Sequence, residues 1–138
     1  MTAARMHSAA LVGLTVVAFA GCGGGDGSDD EQVRDAASSF LDAVRDGDGA
    51  RACDLLGEDA RDKVERFAER FGRTLDSPTD CARVLELSQP QYPSDFEIVN
   101  VDIDGGRATA SADGGIDGVV DVPLVKDGDD WKVDESDF

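Results

Sequence analysis

The stretch Val99-Asn-Val-Asp-Ile-Asp-Gly-Gly-Arg-Ala-Thr-Ala-Ser-Ala112 decides the fold. In its first half Val99, Val101 and Ile103 alternate with polar residues, and in its second half alanines alternate with hydroxyl residues. Alternation with a period of two is typical of strands that bury one face. The Gly105-Gly106 pair between the halves is typical of a hairpin turn. The stretch therefore predicts two antiparallel strands, with Val99, Val101 and Ile103 sharing one face.

The alternation continues towards the carboxyl end of the chain. A turn at Asp113-Gly-Gly115 leads to a third predicted strand, in which Val120, Val122 and Leu124 share a face. Asp127-Gly128 predicts one more turn, and Trp131-Lys-Val133 a fourth strand. Consecutive strands joined by short turns form an antiparallel meander.

Upstream of Val99 the spacing of the apolar residues is helical. The first predicted helix has an N-cap at Asp30 and a stop at Gly47. Its apolar face consists of Val33, Ala37, Phe40, Leu41 and Val44. A short second helix carries Ala50, Cys53 and Leu56.

Two more helices are predicted before the strands begin. The third carries Ala60, Val64, Phe67, Ala68 and Phe71 on one face and is closed by Gly72. Ser77-Pro78 is typical of an N-cap followed by proline at the first helical position, and it would open a fourth helix through Cys81. Helices followed by a meander of about four strands indicate an α+β fold.

The amino end of the chain is typical of an export signal. Residues 1–8 contain Arg5 and no acid, and residues 9–20 are uncharged and almost wholly apolar, too short to span a membrane. Phe19-Ala-Gly-Cys22 then resembles the lipobox of bacterial lipoproteins, although an aliphatic residue is commoner in place of Phe19. The resemblance implies cleavage after residue 21 and lipid on Cys22. An ordinary secretory signal, with Cys22 left as a free thiol, is the alternative.

Processing at this point divides the chain into three parts. Residues 1–21 are the predicted signal peptide, and residues 22–30, rich in Gly and Asp, are a predicted flexible tether. Residues 31–138 form the predicted folded domain. The protein is then expected on the extracytoplasmic face of the cell membrane, held there through the lipid on Cys22.

The cysteine count agrees with this division. The chain has three cysteines, and lipid on Cys22 leaves Cys53 and Cys81. These two can pair in an oxidising compartment, where a disulfide helps a small core. Two buried free thiols are the alternative.

The order of elements resembles the NTF2-like (cystatin-like α+β) superfamily, over about residues 31–133. The resemblance rests on Phe40-Leu-Asp-Ala-Val44 with the turn Asp46-Gly-Asp48, and on the closing Leu124-Val-Lys-Asp-Gly-Asp-Asp-Trp-Lys-Val133. It implies that the first helix packs in the concavity of a curved sheet. It also implies a pocket that in many members holds a small apolar molecule, and that in the ketosteroid isomerases carries Asp and Tyr.

Five apolar residues are the candidate lining of such a pocket, although residues of this kind more often form a plain core. They are Phe40, Val44, Phe67, Phe71 and Trp131. A buried Trp131 would need a partner for its indole N–H.

Composition argues against several kinds of chemistry. The net charge of −17 disfavours nucleic acids and anionic lipid headgroups as direct partners. The only histidine, His7, lies in the segment predicted to be removed, which leaves no imidazole for a catalytic triad or a zinc site. Asp102-Ile-Asp104 and Asp127-Gly-Asp129 begin a calcium-loop pattern and do not complete it. No cofactor and no metal are predicted.

The sequence therefore predicts an anchored, non-enzymatic binding module. Its ligand is expected to be a small apolar molecule or an envelope protein. The alternative is an enzyme that uses a carboxylate with a raised pKa in the NTF2-like pocket. A structural role without a pocket is a third possibility.

Overall fold

The computed structural model describes residues 27–75, 79–89 and 94–134. Four helices come first: α1 (Gly27–Arg45), α2 (Gly49–Asp54), α3 (Glu58–Leu75) and α4 (Cys81–Ser88). Four strands follow: β1 (Glu97–Asp104), β2 (Arg107–Asp113), β3 (Val119–Asp127) and β4 (Asp130–Val133). The strands form one antiparallel sheet in the order β1-β2-β3-β4. The predicted α+β class and the meander are confirmed.

One side of the sheet, the inner face, packs against α1. Small side chains line this face in the middle of the sheet, where Ala108, Ala110 and Ala112 of β2 are all buried. Larger residues flank them on β3 and β4, namely Val122, Leu124, Trp131 and Val133. The predicted apolar face of α1 is also buried, and it belongs to the same core cluster. The alanines leave room for the helix to lie across the sheet.

Strand β1 departs from the predicted alternation at Val99. The pairing register between β1 and β2 shifts between Ile98 and Asn100, so that Val99 has no partner of its own. This irregularity leaves Val99 52% exposed, whereas Ile98, Val101 and Ile103 pack against the core. The prediction that Val99 shares the inner face with Val101 and Ile103 was therefore wrong. A bulge inserts one residue and reverses the alternation at that point.

The first helix begins earlier than the sequence indicated. Gly27 to Asp30, assigned to the tether by the sequence, are helical. Asp30 is not the N-cap but lies in the first turn, where its carboxylate accepts a hydrogen bond of 2.7 Å from Arg34. Acidic residues in a first turn are favourable because they face the positive end of the helix dipole.

Two other helix ends also differ from prediction. Helix α3 continues through Gly72 to Leu75, since a single glycine costs a helix only about 1 kcal/mol. Helix α4 begins at Cys81, and its N-cap is Asp80, whose side chain accepts from the Arg83 N–H. The predicted cap at Ser77 was therefore wrong, and Ser77 and Pro78 lie outside the described residues.

Helices α2 and α4 lie unusually close to each other. A Cβ atom built on Gly49 would overlap the carbonyl oxygen of Ala82 and lie 2.7 Å from its carbonyl carbon. The disulfide between Cys53 and Cys81, with Cα atoms 6.1 Å apart, joins the same two helices. Glycine is thus the only residue type that fits at the first position of α2 without moving the α4 backbone.

Candidate functional site

The interior between α1 and the sheet is where the sequence predicted a pocket. Phe40 and Val44 are fully buried in the core, and Trp131 is 4% exposed on the inner face. Phe67 packs against the core from α3, and its ring stacks on Phe71 with centroids 5.7 Å apart. None of these five residues lines the three cavities described below. Phe40, Val44 and Trp131 therefore lie within the core cluster of the described residues, and Phe67 packs against it.

The indole of Trp131 has a specific partner at the start of α1. Its Nε1 donates to Oδ1 of Asp29 over 3.4 Å, and Nζ of Lys126 donates to the same oxygen over 3.0 Å. The Lys126 ammonium also lies 5.5 Å from the Trp131 ring centroid. The hydrogen bond from Lys126 lowers the pKa of Asp29 below its usual value. This cluster ties the first turn of α1 to β3 and β4, which explains why the helix extends into the predicted tether.

The two predicted partner cysteines are brought together. The structure joins Cys53 of α2 to Cys81 of α4, and each is 4% exposed. Their separation of 28 residues implies a stabilisation of roughly 3–4 kcal/mol through restriction of the unfolded chain. The disulfide therefore supports the small core, as the cysteine count indicated.

A cavity of about 420 Å³ lies among α2, α3 and α4, beside this disulfide. Its charged lining residues are Asp54, Arg61, Glu65, Glu69 and Asp80. The single base is already engaged, because Arg61 lies 3.3 Å from Glu65 and 3.6 Å from Asp54. Within the described part of the chain, no buried side-chain nitrogen or oxygen lacks a hydrogen-bond partner. The charged residues that line this cavity are all exposed, so none of them is a buried polar group without a partner.

The side of the sheet opposite α1, here called the outer sheet face, is mostly open to solvent. It is formed by Glu97, Asn100, Asp102, Asp104, Arg107, Thr109, Ser111, Asp113, Val119, Asp121, Pro123, Val125 and Lys132. The backbone N–H of Asp134 donates to the Pro123 carbonyl over 2.8 Å, which adds Asp134 to the same face. Val119 is 63% exposed at one end of it.

Two shallow cavities indent the outer sheet face. One of about 160 Å³ includes Asp102, Asp104, Thr109 and Pro123 in its lining. The other, of about 200 Å³, extends to Glu58 and Asp59 at the start of α3 and includes Val125 and Asp127. Both are lined by Arg107 and Asp134, whose Nη1 and Oδ2 atoms lie 3.4 Å apart. The cavities therefore adjoin one another across this ion pair.

The described residues provide little for catalysis or metal binding. Ser88 is the only buried polar or charged residue among them, and its hydroxyl donates to the Val84 carbonyl over 2.9 Å. No described Asp or Glu is therefore buried. In the same ranges no three His, Cys, Asp or Glu side chains are grouped as metal ligands.

The predicted lipidation site, Cys22, lies outside the described residues. Among the residues that are described, no helix is both long and apolar enough to cross a membrane.

Comparison of the chain with models of known protein families, with curated proteins and with solved structures finds no match. The likeness to the NTF2-like superfamily therefore rests on the motifs and the order of elements alone.

Proposed function

We propose that this chain is an extracytoplasmic lipoprotein whose NTF2-like domain binds a protein partner at the cell envelope and catalyses no reaction. The lipobox-like Phe19-Ala-Gly-Cys22 supports the anchor, and helices followed by a meander support the family resemblance. The disulfide between Cys53 and Cys81 suits an oxidising compartment outside the cytoplasm.

One observation favours a protein partner over a small apolar ligand. Phe40, Val44 and Trp131, the residues that would line a ligand pocket on α1 and the sheet, are buried in a continuous core. By contrast, the outer sheet face is open and carries exposed apolar residues such as Val119 beside its acids. Exposed apolar groups rimmed by polar ones are typical of protein interaction sites.

No observation on the described residues supports the alternative hypothesis of an enzyme that uses a carboxylate with a raised pKa. A carboxyl group acquires a raised pKa mainly through burial or through a neighbouring carboxylate. The pKa of Asp29 is lowered rather than raised, chiefly by its hydrogen bond with Lys126. Asp29 is also held by Lys126 and Trp131, so it serves structure rather than proton transfer.

The anchor is tested by Cys22→Ser. We expect the variant to lose metabolic labelling by a radiolabelled or alkyne fatty acid and to move from the membrane to the soluble fraction or the medium. The reason is that a serine hydroxyl cannot form the thioether through which the lipid is attached. Cys53→Ser is the matched control, and it should keep both label and membrane location. An unlabelled Cys22→Ser protein that stays on the membrane would contradict the anchor.

Partner binding is tested by photo-crosslinking in the cells that make the protein. We expect p-benzoylphenylalanine in place of Val119 to give a discrete adduct with another protein, because position 119 lies exposed on the outer sheet face. The same group in place of Asp62, which is exposed on α3, is the control and should give none. Equal adducts at positions 119 and 62, or no adduct at position 119, would remove the support for this face.

A further inference from the structure

The charge on the outer sheet face is strongly one-sided. Its acids are Glu97, Asp102, Asp104, Asp113, Asp121 and Asp134. Its bases are Arg107 and Lys132 only, and both are engaged: Arg107 pairs with Asp134, and Nζ of Lys132 donates to the Asp54 carbonyl over 3.2 Å. The face therefore presents negative charge that its own cations do not balance.

The acids at the β1 side of this face are the least compensated. Among the described residues, no cation lies within ion-pair distance of Glu97, Asp102 or Asp104. All three are exposed at the edge of the sheet. Like charges placed side by side on a surface repel one another, and a cationic partner relieves that repulsion.

Apolar groups lie beside Glu97, at the end of the sheet away from Asp102 and Asp104. Val99 is 52% exposed at the β1 irregularity, Val119 is 63% exposed at the start of β3, and Ile116 is fully exposed in the turn between β2 and β3. Asp113 pairs with Glu97 on one side and with Val119 on the other. Acidic and apolar side chains therefore meet at the same end of the sheet.

We propose that the outer sheet face binds an extended, basic segment of a partner protein, in which every second side chain faces the sheet and these facing side chains include both Lys or Arg and apolar residues. The basic side chains contact the Asp102–Asp104 cavity, and the apolar ones contact Val99 and Val119. A strand-like segment suits this face because its side chains repeat with the spacing of the sheet beneath it.

Other occupants fit less well. A second copy that bound through its own outer sheet face would place its acids directly against the same acids of the first copy. Anionic lipid headgroups carry the same sign of charge. Among the residues outside the described ranges, Arg5 is the single Lys or Arg, so they contain no basic segment. The charge on this face therefore favours a basic segment of another protein.

The test uses the full chain purified in mild detergent and the short fluorescent peptide Lys-Ser-Lys-Ser-Val-Ser-Val, whose Lys and Val side chains share one face when it is extended. At physiological salt we expect saturable binding by fluorescence anisotropy. Asp102→Asn/Asp104→Asn should weaken it about tenfold or more, because partly desolvated charge pairs resist screening. The same peptide with Glu in place of both Lys should not bind.

A control variant distinguishes binding at the outer sheet face from general electrostatic attraction to an acidic protein. Asp35→Asn/Asp62→Asn makes the same change in net charge, but at exposed positions on α1 and α3. This variant should bind within about twofold of the parent protein, since distant surface charges are largely screened. Equal weakening by the two double variants, or no saturable binding, would overturn the proposal. Thermal unfolding of each variant checks that the fold is intact.

This inference rests on the proposed function in that it assumes a protein partner, and the two can fail separately. Failure of the peptide to bind leaves the fractionation result for Cys22→Ser untouched, and loss of the anchor leaves peptide binding untouched. Basic residues of α3 in a second copy, such as Lys63, Arg66 and Arg70, could occupy the face instead. In that case the chain should self-associate in light scattering, and Asp102→Asn/Asp104→Asn should abolish that association. Such a result would replace the separate partner with a copy of the chain.

Discussion

Phe40→Ala should lower the free energy of unfolding by about 3–5 kcal/mol, the range for removing a large aromatic side chain from a packed core. Phe40 is fully buried on α1, within the cluster that joins the helix to the sheet. Urea unfolding followed by Trp131 fluorescence measures the change, since Trp131 is the only tryptophan and lies in the same core.

This substitution also decides between a filled interior and a ligand pocket. If Phe40 lined an open pocket, its loss would remove fewer packing contacts, and the cost would fall to about 1 kcal/mol or less. Phe71→Ala is the matched control, because Phe71 is only half-buried on α3 and should cost less than Phe40→Ala. Similar small losses for both variants would revive the small-ligand hypothesis.

Gly49→Ala should lower the free energy of unfolding by about 3 kcal/mol or more, the upper part of the range for an overpacked interior. The new Cβ would overlap the Ala82 carbonyl, which belongs to the α4 backbone and cannot rotate away. The disulfide between Cys53 and Cys81 opposes separation of the two helices. Helix propensity favours alanine over glycine by about 1 kcal/mol, so the overlap must exceed that gain.

Chemical unfolding of the oxidised protein measures the effect, with Gly106→Ala as the control. Gly106 lies in the β1–β2 turn with open space around its Cα, so its replacement should change stability by only about 0.5 kcal/mol. A Gly49→Ala protein as stable as the parent would mean that α2 and α4 are not held at this distance.

The strands and α1 could be predicted because their buried residues recur at a regular spacing in the sequence. Ala108, Ala110 and Ala112 alternate without interruption, and every one of them is buried. Val99 could not be placed in the same way, because a bulge depends on how β1 pairs with β2. The start of α4 was misplaced at Ser77 because Ser followed by Pro is typical of a helix start, whereas the structure uses Asp80, which is an equally good capping residue.

The candidate site was harder to foresee than the fold. Asp102 and Asp104 could be assigned to one face of a strand from the sequence alone. Their position near Pro123 and Asp134 depends on the register of three strands, which the sequence does not display. The ion pair between Arg107 and Asp134 joins residues 27 positions apart, and no local pattern marks it.

The contact between the first turn of α1 and strand β4 determines how late in synthesis this domain can complete its fold. Asp29, in the first turn of α1, meets Trp131 across 102 positions of sequence. A growing chain appears amino end first. The apolar side of α1 is therefore synthesised before the strands that cover it. It stays uncovered until nearly the whole domain has been made. A chain halted before β4 would leave that side of α1 uncovered, as a target for chaperones and proteases.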